Sequence, residues 1–272
     1  MSPLARAGIL ISPVVLLAVI ALWSDVRLAD AAAPSDTEST GTRVRTVVLD
    51  PGHGGADHGA RGASGLLEKT IALQMAKRIG SELERKGIQV LYTRSSDEFI
   101  SLAERTDLAN ASDADLFISV HANASKDRGA RGAETYFVSL DASDEEARRV
   151  ALVENQVFDR EDVATDSNDL VASIMGDLIR TDHLRTSSEL ARGIQQQLDQ
   201  LPGRSRGVKQ APFVVLMRVN MPAVLLEIGF ITNKREESLL RGRKRQRAIA
   251  RSVAHAVEGL RIAAEGGEVA VP

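Results

Sequence analysis

Four polar residues whose side chains bind metal ions or transfer protons lie at the edges of apolar runs: His53, Glu68, His121 and Glu227. Three of them follow or end aliphatic runs that are typical of strands, and Glu68 begins a helical pattern. In open α/β sheets, residues at the ends of buried strands line the crevice where ligands bind. Two imidazoles and one carboxylate would hold zinc and leave its fourth position for water, and a further carboxylate would handle the proton. The set therefore indicates a zinc hydrolase.

Each of these residues also has an ordinary interpretation when it is taken alone. His53 lies between glycines, and most histidines in such loops are surface residues. His121 could be a hydrogen-bonded histidine of the core, and Glu68 could be an acid that the helix dipole favours. The hydrolase interpretation depends on their joint occurrence in an α/β order that can bring them to one rim of a sheet.

Composition narrows the chemistry further. The chain has 272 residues, of which 43% are hydrophobic, and this is enough for one sizeable core. Its net charge of −3 does not favour binding to nucleic acid. The absence of cysteine excludes disulfides, thiolate ligands and a cysteine nucleophile, so histidines and carboxylates remain as metal ligands. No serine stands in a Gly-x-Ser-x-Gly pattern, so a serine nucleophile is not indicated either.

The beginning of the chain has the features of an export signal. Arg6 supplies a positive charge before the apolar stretch 7–23, and 31–33 offers three alanines for cleavage. The alternative is an uncleaved membrane anchor, because the apolar stretch approaches spanning length. Pro13 and the alanines favour cleavage. In both cases we expect an exported, periplasmic protein, whose only membrane contact would be an uncleaved signal segment.

Apolar periodicity predicts alternating strands and helices. Strands are predicted over 44–50, 88–93, 115–121, 133–139 and 223–227, with one or two more in 208–217, broken at Pro212. Helices are predicted over 69–86, 101–111, 144–155, 168–180, 186–201 and 245–264. A capping box of Ser101 and Glu104 begins the second helix. This alternation predicts an α/β fold with a mixed, mostly parallel sheet and helices on both faces.

An acidic segment, 141–185, interrupts the alternation between a strand and a helix. Twelve acidic residues against five arginines give it a net charge of −7, so the rest of the chain carries +4. The predicted organisation is a signal peptide (1–33), a linker (34–43), a catalytic domain (44–262) that contains this helical insertion, and a C-terminal tail (263–272).

Six motifs in fixed order carry a family resemblance: Asp50–Gly55 (DPGHGG), Gly65–Lys69 (GLLEK), Ser119–Asn123 (SVHAN), Arg206–Lys209 (RGVK), Asn220–Ala223 (NMPA) and Leu226–Phe230 (LEIGF). In them the chain strongly resembles the zinc-dependent N-acetylmuramoyl-L-alanine amidases of bacterial cell walls. One such short motif would be weak evidence, but six in order, between about Val44 and Leu260, are specific to the family.

The resemblance implies roles for the four residues. By it, His53, Glu68 and His121 bind zinc, and Glu227 is the catalytic carboxylate. The implied substrate is peptidoglycan, cut at the amide between N-acetylmuramic acid and the L-alanine of the stem peptide. One alternative is a zinc peptidase that cuts within the stem peptide. Another is a catalytically silent peptidoglycan-binding or activator module on the same fold, which would be expected to lack one of the four residues.

The resemblance extends to regulation in daughter-cell separation. In position and helical character the insertion resembles the regulatory segment of division-associated amidases, in which a helix covers the zinc site until an activator removes it. It implies autoinhibition. Independently, a segment of net charge −7 in a domain otherwise at +4 would be drawn to a cationic metal cleft, where one of its carboxylates could fill the open zinc position; Glu154 on the first predicted helix is the candidate. A protein activator would bind the segment 141–185, through apolar residues of its second helix such as Leu170 and Ile174. The alternative is a solvated acidic loop.

Glu134 begins a predicted strand close to His121 in sequence. It is a candidate hydrogen-bond partner for a ligand histidine, because such partners orient the imidazole and select its tautomer. The alternative is a carboxylate at the rim of the site.

Overall fold

A six-stranded sheet organises residues 42–161 and 181–262, which are the part of the chain that the computed structural model describes. The strands are β1 (Thr42–Arg43), β2 (Thr46–Pro51), β3 (Gln89–Tyr92), β4 (Leu116–Asn123), β5 (Ala133–Val138), β6 (Ser205–Ala211), β7 (Ala223–Phe230) and β8 (Arg261–Ile262). The helices are α1 (Glu68–Glu84), α2 (Leu102–Asn110), α3 (Glu145–Glu161), α4 (Thr181–Asp199), α5 (Val214–Met217), α6 (Lys234–Arg241) and α7 (Arg243–Gly259).

The large sheet has the strand order β3-β2-β4-β7-β5-β6. Strands β3, β2, β4 and β7 are parallel to one another, β5 is antiparallel to β7, and β6 is parallel to β5. This confirms the predicted mixed, mostly parallel sheet. The carboxyl ends of β2, β4 and β7 therefore lie at the same edge as the amino end of β5.

The register at that edge places three site candidates in one row. His121 on β4 is opposite Glu227 on β7, and Glu227 is opposite Glu134 on β5. Residues opposite one another in neighbouring strands project from the same face. The sheet alone therefore aligns one imidazole and two carboxylates, and His53 follows the end of β2 beside them.

Helices cover both faces, as predicted. On one face α1, α4 and α7 pack against β-strand residues such as Leu49 and Ile118. On the other face α2, α3 and α5 surround residues such as Phe117 and Leu225. Glu227 and His121 belong to this second face, which α3 covers together with α2 and α5.

Helix α1 shows how the apolar pattern builds this core. Its buried side recurs every four residues, which is one side of a helix: Ile71, Met75, Ile79 and Leu83, each fully buried. Burial of such a side chain contributes about 1.5–3 kcal/mol. The packing fixes the position of α1, and Glu68 is its first residue. The core therefore positions a site candidate.

Two local elements differ from what the sequence indicates. Of the one or two strands predicted in 208–217, one forms, β6, and the short helix α5 follows it where a second strand was possible. Pro212 ends the strand because it lacks a backbone donor, and a short apolar run does not distinguish strand from helix. Helix α6 was missed, although Asn233 caps it by accepting bonds from the amides of Arg235 and Glu236.

Other boundaries differ by a few residues. The capping box of Ser101 and Glu104 forms as predicted. Helix α4 begins at Thr181, and α7 ends at Gly259 before β8, which pairs with β1. The predicted signal peptide, the C-terminal tail and the predicted helix over 168–180 lie outside the described residues. Within the described ranges, none of the helices has the length and hydropathy to span a membrane.

Candidate metal centre and active site

The loop after β2 presents His53 in an unusual backbone conformation. Among the described residues, His53 is the one non-glycine residue with a positive φ, 59°. Gly52 beside it has no alternative, because a Cβ there would lie 2.3 Å from Cε1 of His121. A left-handed residue other than glycine costs about 1–2 kcal/mol, so the surrounding contacts must hold this turn.

Two buried arginines hold the turn. Arg105 donates from Nη1 to the carbonyl of Pro51 and from Nη2 to that of His53, both at 2.7 Å. Arg94 donates from Nη2 to the carbonyl of Gly52 at 2.8 Å. Arg105 is 3% exposed and Arg94 is 2% exposed. Each donates hydrogen bonds to backbone carbonyls that would otherwise be buried without partners. Sequence analysis missed both of them.

Asp50 balances the charge of Arg105. Its Oδ1 lies 2.7 Å from Nη1 of Arg105, and it accepts further bonds from Thr93 and Ser119. Burial raises the pKa of Asp50, but Arg105 and the hydroxyl bonds outweigh it and hold the pKa below its ordinary value. Burial, together with the charge of Arg105, lowers the pKa of Arg94 to about 10.

Four side chains converge beyond this turn. His53, Glu68, His121 and Glu154 each offer one ligand atom, and these atoms lie within 4.8 Å of one another. Nε2 of His53 is 3.1 Å from Oε1 of Glu68 and 3.3 Å from Oε2 of Glu154. Nδ1 of His121 is 3.1 Å and 3.0 Å from the same two atoms. The structure thus brings together the three predicted ligands and the predicted capping residue.

Glu68 and Glu154 reach the cluster from different parts of the fold. Glu68 is fixed by backbone amides: Oε1 accepts from Ala122 at 3.0 Å, and Oε2 accepts from Ala60 at 2.8 Å. Glu154 is carried in by α3, which packs over the other face of the sheet. The neighbouring Asn155 secures α3 by bonding the carbonyl of Pro212 and the amide of Val214.

The histidines and carboxylates of the cluster shift one another's pKa values strongly. Burial lowers the pKa of both histidines, but Glu68 and Glu154 outweigh it, so the pKa of His121 rises to about 10 and that of His53 rises well above its usual value. Burial raises the pKa of Glu68, but His53 and His121 bring it well below its usual value. The carboxylates of the cluster therefore favour positive charge at the two imidazoles.

The donor set fits zinc. Nε2 of His53 is buried and makes no hydrogen bond with the described residues, as expected of an atom that coordinates a metal. Two imidazoles and carboxylates are a zinc ligand set. Asp57 lies 2.8 Å from Nδ1 of His53 and is the carboxylate that would orient this ligand. Sequence analysis missed Asp57, although its position four residues after His53 in the same loop was a usable signal.

Glu227 differs from the other acids of the site. It is fully buried, and neither of its carboxylate oxygens has a hydrogen-bond partner among the described residues. The pKa of Glu227 is well above its usual value. Burial raises it most, the neighbouring carboxylates raise it further, and His121 opposes them. An unpaired carboxylate beside the cluster is the form expected of a proton carrier.

Glu134 has other partners than a ligand histidine. It is fully buried opposite Glu227, and it bonds the hydroxyl of Tyr136 and Nε of Arg206. Nζ of Lys209 lies 3.5 Å away. Its bonds therefore go to groups on β5 and β6, and Asp57 makes the histidine contact that was predicted for Glu134. The rim alternative does not describe it either, because it is inaccessible to solvent.

Helix α3 leaves little space at the centre. A cavity of about 20 Å³ lies against His53, His121 and Glu154. It could hold about one water molecule.

Comparisons of the sequence and of the structure with known proteins all indicate the same protein family. A family model described as N-acetylmuramoyl-L-alanine amidase matches residues 47–259, a range that includes all the residues of the cluster. N-acetylmuramoyl-L-alanine amidase AmiA of Escherichia coli (strain K12) is 39% identical over 227 residues, 82% of this chain and 78% of that protein.

Solved structures give the same match. A crystal structure of an N-acetylmuramoyl-L-alanine amidase from Clostridium difficile 630 has a TM-score of 0.59 at 33% identity, covering 79% of this chain and 96% of that chain. AmiC2 of Nostoc punctiforme, also an N-acetylmuramoyl-L-alanine amidase, has a TM-score of 0.55 at 29% identity, covering 78% and 94%.

Proposed function

The chain belongs to the N-acetylmuramoyl-L-alanine amidase family, and we propose that His53, Glu68 and His121 hold the zinc ion with which it cleaves peptidoglycan. The bond is the amide between N-acetylmuramic acid and the L-alanine of the stem peptide. The observation that carries this proposal is the convergence of two imidazoles and two carboxylates within 4.8 Å, beside a buried carboxylate without a partner.

An amide needs an activated nucleophile and a protonated leaving group. Zinc bound here would supply a water of lowered pKa and polarise the amide carbonyl. Glu227 accepts the proton of the attacking water and then delivers it to the departing amine, so one carboxylate serves as base and acid. Its burial favours this role, because water does not compete for its oxygens.

The remaining residues of the site position these groups. Asp57 accepts from Nδ1–H of His53 and so leaves Nε2 free to coordinate. Arg94 and Arg105 hold the backbone of the turn, and the backbone amides of Ala60 and Ala122 orient Glu68. Preorganised ligands lose little entropy on binding the metal.

We propose further that α3 restrains the enzyme. Glu154 takes the position that the water would need, and the cavity beside it cannot hold a substrate. The restraint must be reversible, so a protein activator is expected to bind the segment 141–185 and withdraw α3. In this proposal the protein is exported to the periplasm, as the signal-like beginning of the chain suggests, and acts on the wall during daughter-cell separation, as the resemblance of its insertion to the regulatory segment of division-associated amidases implies.

Product analysis tests the function. Purified peptidoglycan should yield free stem peptides with an L-alanine N-terminus, and a chelator should abolish the reaction, which added zinc should restore. Fragments with another N-terminus would instead support a peptidase that cuts within the stem. No product from either the native chain or its Glu154→Ala variant, both folded and zinc-loaded, would support a silent binding module.

A further inference from the structure

Two cations on β6 lie beneath the first turn of α3. Arg206 and Lys209 are three residues apart, and on a regular strand they would project from opposite faces. The register between β5 and β6 shifts at this point, and Gly207 has a φ of +82°. Such a bulge inserts one residue and redirects the side chains that follow. Both cations therefore reach the same carboxylate, that of Glu134.

These two residues, called the cation pair below, are largely buried. The side chains of Arg206 and Lys209 are 16% and 10% exposed. The guanidinium of Arg206 also lies 5.1 Å from the ring centroid of Phe230, which restricts its position. Buried cations need anionic partners, because transfer from water is costly for an unpaired charge.

Asp144, the residue before α3, and Glu146 in its first turn supply the additional anions. Nη2 of Arg206 bonds the carboxylate of Glu146. Nζ of Lys209 lies 3.2 Å from Oδ2 of Asp144 and 3.8 Å from Oε2 of Glu146. Among the described residues, Glu134 is the anionic partner that the sheet itself provides. Without α3 and the residue before it, the pair would carry two positive charges against this one negative charge.

The same helix covers the metal centre and the cation pair. Glu154 contacts His53 and His121, and Glu146 contacts the cation pair. Withdrawal of α3 would thus uncover both places at once, in one crevice that also contains Glu227. The uncovered crevice would have a net positive site in line with the metal centre.

The fold sets the distance between the two places. Eight residues separate Glu146 from Glu154, and a helix rises about 1.5 Å per residue, which gives about 12 Å. Independently, three strand spacings of about 4.8 Å separate β4 from β6 and give about 14 Å. An extended peptide spans about 3.3–3.6 Å per residue, so the cation pair lies about three to four residues from the reacting amide.

We propose, resting on the function above, that the cation pair binds a carboxylate of the substrate peptide about three residues beyond the scissile amide. In the present state Glu146 takes the place of that carboxylate, as Glu154 takes the position that the attacking water would need. The enzyme therefore selects peptides with a free carboxylate at this distance, and Lys209 is the residue that determines the preference. Arg206 has a second, structural role because it also binds the buried Glu134.

Two muramoyl peptides that differ in one group test this inference. One carries a free side-chain carboxylate at the third residue, and the other carries a carboxamide there. Both are hydrolysed by the full-length Glu154→Ala variant, and kcat/KM is measured for each. The ratio of the two values does not depend on the fraction of enzyme whose α3 is displaced, since one enzyme population acts on both substrates.

We expect a preference of about ten- to hundredfold for the carboxylate, mainly through KM, because a hydrogen bond between charged groups is lost in the carboxamide. In this background Lys209→Gln should reduce the ratio towards 1, and Lys209→Arg should largely keep it. Glu146→Gln is the matched control: it removes an anion of α3, leaves the cation pair intact, and should leave the ratio unchanged.

A ratio near 1 before any change to Lys209 would overturn the inference while leaving the amidase assignment in place. An unchanged ratio in a folded Lys209→Gln variant would also overturn it. Failure to hydrolyse either substrate, in folded and zinc-loaded protein, would instead count against the proposed function. The comparison of the two substrates in the Glu154→Ala variant, in which Lys209 is unchanged, decides the question even if Lys209→Gln does not fold.

Discussion

The two walls of the metal centre are built differently. One wall consists of the turn at His53 and the start of α1, where buried arginines and backbone amides hold every ligand. The other wall is α3, which rests on the sheet through ion pairs of its first turn and the bonds of Asn155. Its outer side is open to solvent, with Leu152 61% exposed. The first wall is built on the sheet and α1. The second packs Ala147, Val150 and Ala151 into the core, and in the proposal above it is the wall that moves.

The largest expected effect comes from removing two of the proposed zinc ligands, His53 in the turn and His121 on β4. A double variant, His53→Ala with His121→Ala, should lose both bound zinc and activity, because two carboxylates alone are a poor zinc site. Metal analysis of purified protein measures this directly. Full zinc occupancy in the double variant would show that the metal is held elsewhere.

Glu227→Gln separates catalysis from metal binding. The carboxamide cannot accept a proton, so turnover should fall by on the order of 10²–10⁴-fold while zinc content and thermal unfolding stay close to those of the native chain. Parallel measurement of hydrolysis rate and zinc content checks this prediction. Loss of zinc in this variant would make Glu227 a ligand and require new roles for the four residues.

Arg105→Gln should weaken the fixed wall. Breaking a buried ion pair typically costs about 3–5 kcal/mol, because the remaining charge, here Asp50, loses its partner. Urea denaturation of the metal-free protein measures the change in the free energy of unfolding. A double variant with Asp50→Asn should recover part of the loss. A change below about 1 kcal/mol would mean that the pair does not hold the turn.

The same pair predicts a pH dependence. The folded pKa of Asp50 is lower than its ordinary value, so its contribution to stability is present above the unfolded pKa and is lost as pH falls through the folded pKa. The stability difference between the native chain and Asp50→Asn should therefore shrink when the pH is lowered below about 4. Urea titrations at pH 7 and in this acidic range compare the two proteins. A difference that stays constant with pH would contradict the assignment.

A change in α3 should give the smallest effect on activity, and it should raise the rate of hydrolysis rather than lower it. Glu154→Ala should raise basal hydrolysis of purified peptidoglycan about fivefold or more, in the range of typical coupling between two states. Glu145→Ala is the matched control, because that carboxylate is on the same helix with its side chain 90% exposed. An equal or lower rate for Glu154→Ala, with zinc bound, would leave α3 as a cover without regulatory effect.

The sequence by itself determined the alternation of strands and helices and the mixed α/β sheet, and it marked four residues as candidates for the site. These depend on local patterns: apolar periodicity, a capping box and short motifs around His53, Glu68, His121 and Glu227. The candidate Glu154 followed from the charge and position of the insertion, and α3 does bring it to the cluster.

Only the tertiary structure decided which groups meet across long sequence distances. Strand β7 lies between β4 and β5 although β5 precedes it in the chain, and this non-local order places Glu227 opposite both His121 and Glu134. Arg94 and Arg105 bind backbone carbonyls, and carbonyls are present at every residue, so no sequence pattern marks these contacts. The bulge that turns Arg206 towards Glu134 depends on the pairing of two strands, which periodicity within one strand does not reveal.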